Sequence, residues 1–185
     1  MADFEPMEFQ FARTLLNCFC DALAAIEALD PTLPAPGVCC MRPGTEVPFD
    51  VSNDGVDMCC FDNGEAYVKI VNVYPSAQFP QPDEPNGKQN CQLQRLAVVY
   101  EIGTIRCIPS DPTCDERTFK VRQQMADKSA AYTAACCWGK AIQAPTLGGA
   151  GTLWTAGSWD NAGPEGLCIS GSMQLIASLR GPGCC

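Results

Sequence analysis

The sequence has 185 residues, of which 46% are hydrophobic and 18% are charged. This balance is typical of a globular domain and excludes a disordered, collagen-like or coiled-coil chain. Asp and Glu outnumber Lys and Arg by 21 to 12, and the net charge of −9 disfavours binding to nucleic acid or anionic lipid through a basic patch. Histidine is absent, which removes the most common general base and metal ligand.

An amphipathic helix is predicted over residues 5–29. Apolar side chains recur there at every third or fourth position: Phe11, Leu15, Phe19, Leu23 and Ile26. This spacing places them on one face of a helix. Three prolines within residues 30–37 then end the helix, because proline lacks the amide donor that a helix interior needs.

Strands are predicted in the middle of the chain. Residues 56–61 and 65–74 flank an Asp-Asn-Gly sequence, which is a strong hairpin signal. Both faces of the second segment are largely apolar, as in a central strand that is covered on two sides. Residues 93–108 predict a further strand, and the proline-rich segment 75–87 predicts a long exposed loop between strands.

The second half of the chain predicts a helix and two more strands. The helix is expected over residues 115–138, with two carboxylates near its positive end. Helical spacing places on one face Met125, Ser129, Tyr132 or Thr133, and Cys136. A glycine-rich loop is predicted over residues 141–152, followed by strands near 152–158 and over 169–179.

These elements predict a single α+β domain over residues 1–185, with two main helices packed on a mixed or antiparallel sheet of about four to six strands. Acidic residues precede the first apolar run, so no secretory signal is visible. Glycines and a proline interrupt the longest uncharged stretch, residues 141–159, which therefore does not read as a membrane span.

No catalytic, cofactor-binding or metal site is predicted. A cysteine nucleophile would lack an imidazole base, and a zinc site would lack both histidine and the C-x-x-C spacing. Glu101 is the best candidate for a catalytic acid, but its context does not distinguish it from a solvent-facing side chain. Trp138, Trp154 and Trp159 are interpreted as core or interface anchors, because stacking sites for nucleic acid come with positive grooves.

Three blocks of sequence, taken in order, carry a resemblance to a known family. The first block, residues 71–83, is a strand that runs into a Pro-Ser-x-x-Phe-Pro loop. The second is residues 96–109, and the third is the glycine-rich approach to the last strand, residues 163–173. Together they resemble tail terminator proteins of long-tailed, siphovirus-type bacteriophages, particularly those that infect actinobacteria. Leu167 and Met173 depart from the family pattern, which favours Gly and Trp there.

The resemblance implies a structural virion protein and not an enzyme. Tail terminators form a ring, usually of six subunits, that caps the growing tail tube and then joins the head–tail connector or stopper. The implied partners are further copies of the chain, the tail tube protein and the connector, with genomic DNA passing through the lumen without specific binding and with no membrane. The implied location is the tail or neck of the virion, assembled in the host cytoplasm. Candidate contacts with neighbouring subunits are Phe79, Pro80, Asp83, Trp154 and Trp159.

The fourteen cysteines include four adjacent pairs. Assembly in a reducing cytoplasm would be followed by oxidation in the released particle. Cys107 and Cys114 flank a six-residue turn and are the first candidate for a disulfide. A second candidate is Cys39 or Cys40 with Cys59 or Cys60. In the alternative interpretation, most cysteines are small buried apolar residues.

Two other classes of protein stay open. One is a different neck component, such as the connector or stopper, or a tail tube subunit. The other is a secreted, disulfide-rich binding module, which would need a removed signal peptide and nearly complete cysteine oxidation. An enzyme is the least favoured class, because no acid–base constellation is visible.

Overall fold

The fold is described from a computed structural model, over residues 5–42, 63–83, 95–165 and 167–180. Within these ranges, helices and strands follow one another in the order α-β-β-β-α-β-β. The strands form one sheet and the helices pack on it, which confirms the predicted α+β class. Residues 56–61, predicted as the first strand of a hairpin, lie outside the described residues.

The sheet contains five described strands: β1 (Val38–Arg42), β2 (Glu65–Pro75), β3 (Arg95–Cys107), β4 (Trp154–Glu165) and β5 (Cys168–Arg180). Their order across the sheet is β1-β2-β3-β5-β4. Strand β1 runs parallel to β2, and the other neighbouring pairs are antiparallel, so the sheet is mixed. Strand β1 was not predicted, because five residues between prolines carry no alternating pattern that identifies a strand.

Helix α1 spans Met7–Leu29, as the apolar periodicity predicts. Its inner face is buried at Phe11, Leu15 and Phe19, which belong to the main hydrophobic core. The helix ends where Asp30 takes an extended backbone conformation before the proline-rich turn.

Helix α2 spans Cys114–Ile142 and continues past the predicted end at Trp138. It begins with a capping box, in which the Thr113 hydroxyl accepts the Glu116 amide and the Glu116 carboxylate accepts the Thr113 amide. Two otherwise unsatisfied amides at the helix start thereby find acceptors, which favours a helix that begins at this position.

The residues of α2 that were predicted to share a face do share one, and it is the exposed face. Met125 is 67% exposed and Tyr132 is 41% exposed, and Cys136 is also exposed. The inner face consists mainly of small side chains: Ala130, Ala131, Ala134 and Ala135. Short side chains allow α2 to lie close to α1 and to the sheet. The buried positions of α2 are therefore mostly occupied by alanine, and larger apolar side chains lie on the outer face.

Both helices cover the same face of the sheet. Helix α1 contacts β1, β2 and β3, whereas α2 contacts β3, β4 and β5. Trp138 lies between the layers, where its Nε1 donates a hydrogen bond to the carbonyl oxygen of Phe11 at 3.0 Å. Its ring meets those of Phe11 and Tyr100 edge to face, at centroid distances of 6.4 Å and 5.5 Å. These buried aromatic rings give α1, α2 and β3 a common core.

The last two strands are longer than predicted. Strand β4 begins at Trp154 and continues beyond the predicted end at residue 158, and β5 extends one residue past residues 169–179 at each end. The predicted loop 141–152 begins as the end of α2. A Cβ atom at Gly148 would lie 2.4 Å from the Ile142 carbonyl oxygen, so the turn requires glycine there.

Candidate functional site

The segment after β2 forms an ordered surface loop over residues 76–83, here called the braced loop. The Tyr74 hydroxyl donates a hydrogen bond to the carbonyl oxygen of Pro80 at 2.7 Å. The Asp83 carboxylate accepts the amide of Ala77 at 2.7 Å and so joins the two ends of the loop. The loop is therefore held in shape by its own polar groups. Residues 84–87 of the predicted loop lie outside the described residues.

Three predicted contact residues lie on the braced loop. Phe79 is half-buried, and it is joined to the exposed Pro80 by a cis peptide bond. Asp83 is exposed, and its carboxylate accepts the hydrogen bond from the Ala77 amide described above. Beneath them, the fully buried Ser76 donates its hydroxyl hydrogen to the carbonyl oxygen of Gln81 at 2.7 Å. Phe79 and Pro80 are thus presented on a rigid support.

The two predicted contact residues on β4 turn toward the core of the subunit. Trp159 is buried, and its Nε1 donates to the Asn161 side-chain oxygen at 2.8 Å. Trp154 packs edge to face on Trp138 at 6.1 Å and covers Gly139, where a Cβ atom would lie 2.2 Å from its ring. Strands β3 and β5 separate β4 from β2. The structure therefore does not unite the two tryptophans with the braced loop in one surface.

An apolar stripe runs along the exposed face of α2. It consists of Val121, Met125, Tyr132 and Cys136, here called the outer α2 stripe, and its first two members are 55% and 67% exposed. Positions four, seven or eleven residues apart lie on one side of a helix, so these side chains share that side, with the exposed Lys128 and Ser129 between Met125 and Tyr132. Exposed apolar side chains that share one side of an element mark sites of protein interaction more often than scattered ones do.

The sheet face that points away from the helices carries two ionic clusters. In the first, the Glu65 carboxylate accepts hydrogen bonds from Nε of Arg42 at 2.6 Å and from the Cys40 thiol at 2.8 Å. Burial raises the pKa of Glu65, but these hydrogen bonds outweigh burial and the pKa is lowered overall. Burial, with the Glu65 carboxylate beside it, raises the pKa of the Cys40 thiol to about 11. The thiol is neutral near pH 7 and therefore a poor nucleophile.

In the second cluster, Glu101 accepts a hydrogen bond from the Tyr67 hydroxyl at 3.0 Å and pairs with the Lys69 ammonium at 3.0 Å. Burial, and then the charge of Glu101, raise the pKa of Tyr67. Gly103 leaves room for the cluster, because a Cβ atom there would lie 2.5 Å from the Tyr67 hydroxyl oxygen. The candidate acid of the sequence is thus engaged with partners from the neighbouring strand.

A third ionic contact lies between the sheet and α2, and sequence reasoning missed it. Arg106 donates from Nε and Nη2 to the two carboxylate oxygens of Asp127, at 3.0 Å and 2.5 Å. Thr104 donates to the same carboxylate at 2.8 Å. Asp127 is 1% exposed, and its position four residues before Ala131 places it on the inner face of α2. The spacing from Ala131 could have indicated that Asp127 is buried. The surrounding helix segment is polar, however, so a further carboxylate there does not stand out.

Six of the nine described cysteines are disulfide-bonded: Cys18, Cys20, Cys39, Cys107, Cys137 and Cys168. One bond joins Cys18 of α1 to Cys137 of α2, and another joins Cys20 of α1 to Cys39 of β1. The free thiols are Cys40, Cys114 and Cys136. The helices are thereby linked covalently to each other and to the first strand.

The predicted disulfide pairings are wrong where the structure describes them. Cys114 is free and exposed, so it does not bond to Cys107, which is itself in a disulfide. Cys39 bonds to Cys20, and Cys40 is free, so neither bonds to residues 59 or 60, which lie outside the described residues. The pairings were inferred from spacing along the chain, whereas disulfides join cysteines that packing brings within bonding distance.

Nowhere in the described ranges do three or more Cys, Asp or Glu side chains converge as metal ligands would. Neither α1 nor α2 combines the length and the apolar character that a bilayer crossing needs.

No protein-family model matches the sequence, and no curated protein matches it either.

Proposed function

We propose that this chain is a tail terminator of a long-tailed bacteriophage. Copies of the chain form a closed ring, of six subunits by resemblance to the family, at the head-proximal end of the tail tube. The ring ends tube polymerisation and then binds the head–tail connector or stopper. Genomic DNA passes through the lumen without specific binding, and the protein resides in the neck of the virion after assembly in the host cytoplasm.

The three family-like blocks lie on neighbouring parts of the sheet. Residues 71–83 form the end of β2 and the braced loop, and residues 96–109 form most of β3. Residues 163–165 end β4, and residues 168–173 form the first part of β5, which pairs with β3. Blocks that are far apart in sequence are thus adjacent in one sheet. This supports the interpretation that the three blocks belong to one common structural unit.

The observation that carries the proposal is the braced loop. Its side-chain hydrogen bonds join residues 74–83 to one another, and Pro80 is exposed while Ser76 is buried. A rigid projection that adds little to the core is suited to contact a neighbouring protein, because little conformational entropy is lost on binding.

The buried titratable groups also favour a structural function over catalysis. The carboxylates of Glu65, Glu101 and Asp127 each pair with a basic side chain of the same subunit. Groups that are already neutralised by fixed partners hold elements together and are poorly placed to exchange protons with a substrate.

A closed ring needs two different patches on each subunit, since each contact is head to tail and must close by rotation. The braced loop and the outer α2 stripe lie on different elements and both are exposed. We assign the outer α2 stripe to one of these two patches, because apolar surface dominates the centres of stable interfaces. The braced loop is assigned to the neighbouring ring.

Oligomeric state tests this proposal. The purified chain is expected to give closed rings in negative-stain images and a single multiple of the subunit mass by native mass spectrometry. Met125→Lys, in the outer α2 stripe, should weaken ring formation at least tenfold, because a charge would be buried at the contact. The matched control is Leu29→Lys, which makes the same type of change at a residue that is 87% exposed outside the stripe.

Other results would contradict the proposal. A chain that remains monomeric even with tail tube protein present is not a terminator. Long tubes formed by the chain alone would identify a tube subunit, and binding to portal-bearing heads that lack tails would identify a connector. Equal loss of rings in both lysine variants would reject the assignment of the stripe.

A second candidate is a secreted, disulfide-rich binding module. It is favoured by one observation: six of the nine described cysteines are disulfide-bonded. Refolding under reducing conditions separates the two candidates, with alkylation and mass spectrometry to verify that the thiols are reduced. A terminator assembled in a reducing cytoplasm should fold and form rings with these thiols reduced, whereas a secreted module should require the disulfides to fold.

A further inference from the structure

Two arginines lie side by side at one end of the sheet. Arg95 is the first residue of β3 and Arg180 is the last residue of β5, and they are register partners across the antiparallel pair. Directly opposed residues of such a pair project from the same face, where like charges repel each other. Both side chains are exposed, so water and salt weaken this repulsion, and an anion bound between them would remove it.

The other arginines of the described chain mostly have such a partner. Ion pairs with carboxylates are formed by Arg13, Arg42, Arg106 and Arg122. Among the described residues, no acidic side chain forms an ion pair with Arg95 or Arg180. In a chain with a net charge of −9, two adjacent guanidinium groups without carboxylates are a marked local exception.

A cavity of about 70 Å³ lies beside these arginines. The glycine-rich turn before β4 forms its opposite wall with Gly148 and Gly151, and Ser178 adds a polar group. A Cβ atom at Gly151 would lie 3.8 Å from Nη2 of Arg180, so the turn passes directly beside the guanidinium group. The cavity is therefore small, and besides the two arginines and the glycine-rich turn it is lined by Thr152, Met7 and Leu179.

We propose that this cavity binds a phosphate group. A guanidinium group donates two parallel hydrogen bonds to an oxyanion, and a phosphate has enough oxygens to accept from Arg95 and Arg180 together. A phosphate carries more oxygens and more negative charge than a carboxylate, so it matches two adjacent guanidinium groups better. The site binds one discrete phosphate, free or carried by a larger molecule. This inference does not depend on the terminator function.

Isothermal titration calorimetry with inorganic phosphate tests the site. The wild-type chain should bind one phosphate saturably. Arg180→Gln should weaken binding at least tenfold, and so should Gly151→Glu, which places a competing carboxylate beside Arg180. The matched controls are Lys128→Gln, an equal charge change at an exposed site on α2, and Gly151→Ala, which fills the same position without charge. Both should bind within twofold of wild type.

Two further ligands separate the sources of the anion. Acetate that binds as tightly as phosphate would overturn the assignment to phosphate. Binding of a short DNA duplex that is lost in Arg180→Gln, with a shallow salt dependence equivalent to about one contact, would support a backbone phosphate as the source. Absence of saturable phosphate binding to wild type, or unchanged binding in folded Gly151→Glu protein, would overturn the proposal.

Discussion

At the scale of single residues, the buried contact between Arg106 and Asp127 connects four parts of the chain. Besides its two hydrogen bonds to Asp127 of α2, Arg106 donates from Nη1 to the carbonyl oxygens of Pro34 and Asn63, at 2.9 Å and 3.0 Å. These carbonyls belong to the segments that precede β1 and β2. A single guanidinium group therefore neutralises a buried carboxylate and satisfies backbone acceptors from two loops.

Asp127→Ala is expected to lower the free energy of unfolding by about 3–5 kcal/mol, because Arg106 would remain buried without its counter-charge. Urea unfolding measures the change at constant m value. Asp111→Ala, at an exposed position, should change stability by less than about 0.5 kcal/mol. The double variant Arg106→Met with Asp127→Leu should be more stable than Asp127→Ala alone, and a double variant that is less stable would contradict this account.

At the scale of elements, α1 is joined to its neighbours by packing and by two disulfides. Its inner face packs on α2 and the sheet, while Cys18 and Cys20 bond to Cys137 of α2 and Cys39 of β1. The two bonds close loops of very different length, with sequence separations of 119 and 19 residues. Longer loops remove more conformational entropy from the unfolded chain when they are closed.

Removal of the long-range disulfide should therefore cost more stability than removal of the short-range one. In the chain-entropy account, Cys18→Ala with Cys137→Ala should lower the free energy of unfolding by about 1–2 kcal/mol more than Cys20→Ala with Cys39→Ala. Chemical denaturation of oxidised protein measures both. Cys114→Ala, which removes a free exposed thiol outside the outer α2 stripe, is the control and should be nearly neutral. An equal cost for the two disulfides would show that native packing, and not loop length, sets their contribution.

At the scale of the whole molecule, charge opposes the proposed assembly. Each copy carries a net charge of −9, and copies in a ring would repel one another. The interface must therefore gain more from apolar contact at the outer α2 stripe than it loses to this repulsion. The same repulsion is useful in a lumen that DNA must cross, because it disfavours contact with phosphate backbones.

Salt should strengthen the ring. Raising sodium chloride from about 50 mM to about 500 mM shortens the range of electrostatic repulsion several-fold, so the dissociation constant of the ring should fall at least threefold. Analytical ultracentrifugation across this series measures the change. An interface held by ion pairs between subunits would weaken over the same series, and that result would reject an apolar contact.

The sequence by itself determined the fold class and most of the elements. The apolar spacing at Phe11, Leu15 and Phe19 identified α1, because burial of one helix face is a local periodic pattern. Runs of β-branched and aromatic residues identified β2 and β3, because these residue types favour strands. The capping residues Thr113 and Glu116 likewise fall at the start of a helix whose existence was predicted from local sequence.

Tertiary structure alone decided which faces are buried and which groups meet. Helix α2 buries alanines and Asp127, whereas Met125 and Tyr132 are exposed. Its close approach to α1 favours small side chains over large ones at the contact. The disulfides, the contact between Arg106 and Asp127, and the adjacent Arg95 and Arg180 join residues that are distant in sequence. Such contacts depend on where the elements lie relative to one another, and no local pattern encodes that arrangement.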